Sequence, residues 1–119
     1  MKNFELLASQ ELPENFKYPH QFLRAVGLGL HDLEPWFLLQ GELLRSTYDG
    51  LNERYASSKL VPFARRQDND DIACWQSSDP EKIFIVHDHA AIGWEQRESY
   101  QSFYKWLRKA LEDFIEFDT

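Results

Sequence analysis

LVPFARRQDNDDIACWQSSDPEKIFIVHDHAAIGW, residues 60–94, holds three short apolar runs, each followed by a polar turn. Residues 60–64, 72–75 and 83–87 have the length and the β-branched or aromatic content of sheet strands. Asp68-Asn69-Asp70-Asp71 separates the first two runs, and Ser77-Ser78-Asp79-Pro80 separates the second from the third. Short carboxyl, amide and hydroxyl side chains bond to nearby backbone, so both tetrads are turn formers. The pattern predicts an antiparallel meander with acidic connections.

Outward from the meander the periodicity becomes helical. Pro19 suits the first turn of a helix, where its missing N–H is not needed. Phe22, Leu23 and Val26 then share one face, and Gly27 or Gly29 supplies the stop. Residues 30–39, LHDLEPWFLL, are ambiguous: Trp36 to Leu39 resemble a buried strand, the preferred reading, while Pro35 suits the start of an edge strand or of a helix. Leu44, Tyr48, Leu51 and Tyr55 recur at helical spacing, interrupted by Gly50, which weakens a helix by about 1 kcal/mol. Residues 1–12 carry no clear period; Phe4, Leu6 and Leu7 suit either a helix or a strand docked on the core.

Downstream, residues 87–94 read as a loop leading into Glu95 and Glu98. Ser99 is the expected N-cap of a closing helix with Tyr100, Phe103, Trp106, Leu107, Ala110, Leu111 and Phe114 on its apolar face. Glu112, Asp113, Glu116 and Asp118 oppose the helix macrodipole by ~0.3–1 kcal/mol each, which suits a frayed, solvated tail. Central strands flanked by helices predict an α+β fold: one domain, residues 1–119, with helices packed on one face of a mainly antiparallel sheet.

Composition narrows the function. A chain of 119 residues is one domain. Its four Trp, five Tyr and nine Phe allow a ring-rich core. A net charge of −7 repels phosphate, so neither nucleic acid nor an anionic membrane is the expected partner. No apolar run approaches the ~20 residues needed to span a bilayer. The N-terminus is too polar for a secretory leader, so a cytoplasmic location is expected. The single cysteine, Cys74, lies in an apolar run and reads as a small buried hydrophobe.

Motifs that would carry chemistry are sparse. Asp68-Asn69-Asp70-Asp71 fails the calcium-loop template, with Ala73 where glycine belongs and Asp79 where glutamate belongs. His87 and His89 share one side of an extended strand and are the candidate metal ligands, but a zinc site takes three or four. Cys74 with His87 or His89 is the available Cys–His pair, in an apolar setting that disfavours a thiolate. Glu95 and Glu98 are a spaced carboxylate pair on a charged segment. No phosphate loop, nucleophile elbow or zinc-protease signature occurs. No enzyme activity and no cofactor are expected. What gathers is a binding-type surface: five acids within residues 67–81, with Trp75 and Trp94 near them in sequence. Aromatics rimmed by acids suit a basic protein partner. The competing reading makes both Trp core residues.

Leu12-Pro13-x-x-Phe16, Val61-Pro62-Phe63-Ala64, residues 68–75, residues 83–88, Gly93-Trp94-Glu95 and Phe103-x-x-Trp106-Leu107 follow one another in an order that resembles the SUKH superfamily, which includes regulators of yeast cell-wall assembly. The resemblance spans roughly residues 12–115. It departs at the front, where the segment before Leu12 is short and the glycine region is Gly27-Leu28-Gly29. It implies a bent antiparallel sheet with packed helices, and a non-enzymatic bacterial binding module. Many such modules are immunity proteins that neutralise a toxin domain. A basic toxin such as a nuclease is then the expected partner, with Asp68, Asp70, Asp71, Trp75, Trp94 and Glu95 as the contact residues. The alternatives are a regulatory or scaffold module without a toxin, and a small metal-dependent enzyme using His87 and His89.

Overall fold

The computed structural model describes residues 4–87 and 96–118. In chain order its elements are α1 (His20–Gly27), β1 (Asp32–Leu33), β2 (Trp36–Leu38), α2 (Gly41–Arg54), β3 (Leu60–Arg66), β4 (Asp71–Gln76), β5 (Asp79–His87), β6 (Gln96–Tyr100) and α3 (Phe103–Asp118), with a 3-10 turn at Ala56–Ser58 before β3. The strands form one open sheet in the order β1-β2-β3-β4-β5-β6, every pair antiparallel. The meander expected over residues 60–87 is its centre, and the fold is α+β. A radius of gyration of 13.5 Å matches that of a single domain this long.

Alternation sorts the central side chains. Ala73 opposite Ile85 and Trp75 opposite Ile83 share one face; Ile72 opposite Val86 and Cys74 opposite Phe84 share the other. The first face is covered by α1 and α3. Phe22 meets Phe63 and Trp75, and Trp106 packs edge-on against Phe63 and Trp36. Trp75 is the hub of this aromatic core, stacked on Phe63 with ring centroids 4.4 Å apart and touching Phe16, Tyr18 and Phe22. The second face is covered by α2, whose Leu51 packs with Tyr55, Leu60, Ile72, Cys74 and Val86. Helices therefore lie on both faces, not one. The reason is the continuous apolar character of residues 72–75 and 83–86, which leaves neither face polar enough to meet water.

A bulge bends the sheet at its centre. The β3–β4 register shifts between Pro62 and Ala64. Phe63 is the extra residue, so Phe63 and Ala64 both serve the aromatic face, and such an insertion also increases local twist.

The helices correct several expectations. In α1, Phe22 and Ala25 are buried while Leu23 is exposed. Ser99 lies in β6, opposite Phe84, so it is no N-cap, and Glu98 is a strand residue opposite Ile85. Ser102 caps α3 instead, its Oγ accepting from the Lys105 N–H at 3.3 Å. The buried face of α3 is Phe103, Trp106, Ala110 and Asp113, leaving Leu111 and Phe114 exposed. Residues 30–39 make a hairpin of two short strands with Glu34 and Pro35 at its turn. Residues 4–8 form neither helix nor strand. They are tied down by the Leu7 N–H donating to Tyr18 Oη and by Arg45 of α2 pairing with Glu5 and Glu11. Burial pushes the Tyr18 phenol up to about 12.

Candidate functional site

The acid-rich end of the sheet is built by two neighbouring turns. Arg65 pairs with Ile72, after which residues 67–70 turn the chain from β3 into β4. Asn69 sets that turn: its Oδ1 accepts from the Asp71 N–H at 2.8 Å, a side chain imitating a backbone turn. Gln67 fastens it to the β1–β2 turn, its backbone N–H donating to Pro35 O at 2.9 Å and its side-chain amide to Glu34 Oε2 at 3.1 Å. Glu34, Asp68 and Asp70 thus sit on two mutually braced turns.

An arginine fork from β3 holds Asp68, and a second arginine of β3 lies near Asp70. Arg66 forks onto Asp68, Nε to Oδ1 at 2.8 Å and Nη2 to Oδ2 at 2.9 Å, the bidentate geometry of a strong charge-assisted pair. That fork holds the Asp68 carboxyl below its ordinary value and raises the Arg66 guanidinium. Arg65 Nη2 lies 3.9 Å from Asp70 Oδ1. Both carboxylates still face solvent, with 37% of the Asp68 and 53% of the Asp70 side chain exposed.

Arg66 also reaches inward. It lies over the Trp36 ring and meets Asp113 Oδ2 at 3.4 Å. The same oxygen accepts from Trp36 Nε1 at 2.9 Å, while Asp113 Oδ1 takes Lys109 Nζ at 3.0 Å. The acid expected in a solvated tail is a buried clasp between α3, β2 and β3. A carboxylate at that depth needs these donors to offset its lost hydration.

The remaining candidates separate. Asp71 is buried and stands directly opposite His87, whose Nδ1 lies 3.2 Å from Asp71 Oδ1. This pair orients an imidazole, as a carboxylate does in many catalytic sites. Cys74 cannot serve it as nucleophile, because it points to the opposite face of β4 and is buried with Sγ directed at Phe84 O, 3.7 Å away. Trp75 is fully buried and leaves the contact surface; of the two readings for it, the core one holds because its ring is the hub of the aromatic cluster. Asp79 and Glu81 sit at the other end of β4, about 20 Å from Asp68 for a strand of this length, so the acids of residues 67–81 form two groups. His89, Trp94 and Glu95 lie outside the described residues, as does Asp88. Among the described residues no three His, Cys, Asp or Glu side chains gather as a metal-binding group, and no helix is long and apolar enough to cross a membrane.

Glu34, Gln67 and Asp113 belong to this end of the molecule and were not evident in sequence. Only Asp113 carried a signal, as an acid three residues beyond Ala110 on the buried line of α3. Comparison with protein families, with curated proteins and with solved structures finds no match to this chain.

Proposed function

We propose that this chain is a non-catalytic protein-binding module that presents the acid-rich end of its sheet to a basic protein. The observation that supports the reading is the bracing of Glu34, Asp68 and Asp70 on two turns joined by Gln67, with the Glu34 carboxylate held by Gln67, that of Asp68 by Arg66, and all three exposed. Preset charges lose little freedom on binding, and complementary charge chiefly accelerates encounter. Arg65 and Arg66 moderate the local field, so the acids act as placed acceptors for Lys and Arg rather than as a broad negative potential. The SUKH resemblance supports the finer reading: an immunity-type protein, acting in the cytoplasm, that occludes a toxin domain such as a nuclease.

Affinity purification of the tagged chain from its own cells, with mass spectrometry, tests this. One basic protein in near-equal amount is expected. Asp68→Asn with Asp70→Asn should then slow its association roughly tenfold at low salt, within the range of electrostatic steering. An association rate indifferent to both substitutions, or recovery of no basic protein, overturns the proposal.

A further inference from the structure

The closing helix leaves one flank uncovered. Leu107, Leu111, Phe114 and Ile115 follow each other at spacings of four, three and one along the flank of α3 next to its buried line, with Leu107 partly packed on the core. Leu111 and Phe114 are each 43% exposed and Ile115 is 60% exposed. Apolar side chains so exposed and contiguous mark an interaction surface more often than a bare one. Along the edge of the strip stand Arg108 and Glu112, four residues apart, with Glu116 one turn further on and farther round the helix. The row is basic toward the N-terminal end of α3 and acidic toward its C-terminal end.

We infer that this flank pairs with the same flank of a second copy, the two α3 helices running antiparallel about a two-fold axis near Leu111. Three features select that occupant. First, the charge order is self-complementary only when antiparallel. With Leu111 on the axis, Arg108 lies about 4.5 Å to one side and Glu112 of the second copy about 1.5 Å to the same side, so the two are roughly 3 Å apart along the axis. In antiparallel helix pairs a flanking row meets its own counterpart, so the opposite charges face each other.

Second, the shape is self-complementary. The N-terminal half of the strip is concave: Arg24 of α1 donates to Tyr104 Oη at 3.0 Å and, with Leu107, Arg108 and Leu111, bounds a shallow groove of about 260 Å³. The C-terminal half carries Phe114 and Ile115, both exposed. The antiparallel register brings these two side chains of the second copy opposite Leu107 and Arg108, over the groove. Third, a two-fold interface uses one patch twice, and this patch contains both the groove and its filler.

The strip and the acidic turns are different surfaces, so the dimer can form whether or not the turns bind a partner. Sedimentation velocity over a range of concentrations is the test, with far-UV circular dichroism confirming that each variant folds. The wild-type chain should sediment at twice its 14.2 kDa mass. Leu111→Glu, which sets two carboxylates together at the axis, should weaken association about 100-fold or more. Arg108→Glu alone, and Glu112→Arg alone, should each weaken it through like-charge contacts. Mixing those two charge variants should restore a dimer containing one of each. A wild-type monomer at high concentration overturns the inference, as does a dimer indifferent to Leu111→Glu or a mixture that stays dissociated. A monomer whose Leu111→Glu variant loses a different bound protein also overturns it, assigning the strip to that protein.

Discussion

Asp113→Ala should be among the most damaging single substitutions away from the aromatic hub. The carboxylate accepts from Trp36 Nε1 and Arg66 on one oxygen and from Lys109 on the other. Its removal leaves the Trp36 N–H, in a side chain only 4% exposed, without its acceptor, which costs about 1–3 kcal/mol. Arg66 keeps Asp68, and Lys109 is 40% exposed, so the lost attraction to both adds only about 0.5–1 kcal/mol after solvent screening. The sum is roughly 1.5–4 kcal/mol. With an unfolding entropy near 2.1 cal/mol/K per residue, that lowers Tm by about 6–16 °C for a chain of this length. Asp113→Asn keeps an acceptor for Trp36 and loses only the charge, so it should cost about 1 kcal/mol. Urea unfolding followed by tryptophan fluorescence and circular dichroism measures both. An alanine variant within 0.5 kcal/mol of wild type refutes the clasp, and so does an asparagine variant as unstable as the alanine one.

Trp75→Ala should destabilise by about 3–5 kcal/mol in the same assay. Trp75→Phe should cost far less than that, because the indole N–H has no hydrogen-bond partner among the described residues; equal losses would contradict the assigned packing. Cys74, buried beneath α2, should react with a thiol reagent only at the rate of unfolding, and rapid labelling of the native protein would place it at the surface. Acid should weaken the fold through Asp68, whose carboxyl titrates below its ordinary 3.8 when folded. A depressed carboxylate stabilises above its unfolded pKa and loses that contribution as pH falls below 3.8 and through the folded value. Asp68→Asn should therefore flatten the stability profile in that window and leave its shape near neutrality unchanged; an unaltered acid limb would remove Asp68 from the account.

The meander was legible because its signals are local: apolar runs of strand length and Asn69-type turn chemistry need no tertiary knowledge. The α2 stripe of Leu44 and Leu51 was legible for the same reason, whereas residues 30–39 read as a single strand and the hairpin was missed, because β1 is only two residues of ordinary composition. The coverage of both sheet faces was also written in the unbroken runs at residues 72–75 and 83–86, but only if continuity is weighed above alternation. Which line of α3 faces inward was ambiguous. Leu111 and Phe114 are more hydrophobic than Asp113, and only the donors on Trp36, Arg66 and Lys109 make the acid the better buried residue. The bulge at Phe63 adds one residue to a strand without changing its composition, so nothing local announces it. At the acidic end, Glu34 reaches the 67–70 turn through a strand pairing, and Asp79 is carried away from it by the length of β4.

An open sheet has two edges, and each is a template on which another chain can add a strand. Here one edge is β1, two residues long, and the other is β6, whose sequence Gln-Arg-Glu-Ser-Tyr carries charges of both signs. Shortness blunts the first and charge the second, two recognised defences against edge-to-edge aggregation. The runs Ile-Ala-Cys-Trp in β4 and Ile-Phe-Ile-Val in β5 combine β-propensity with absence of charge, the signature of segments that seed cross-β assembly. Both lie on inner strands, paired on either side. While the sheet is intact, the segments best able to nucleate a fibril are therefore the ones with no edge to offer.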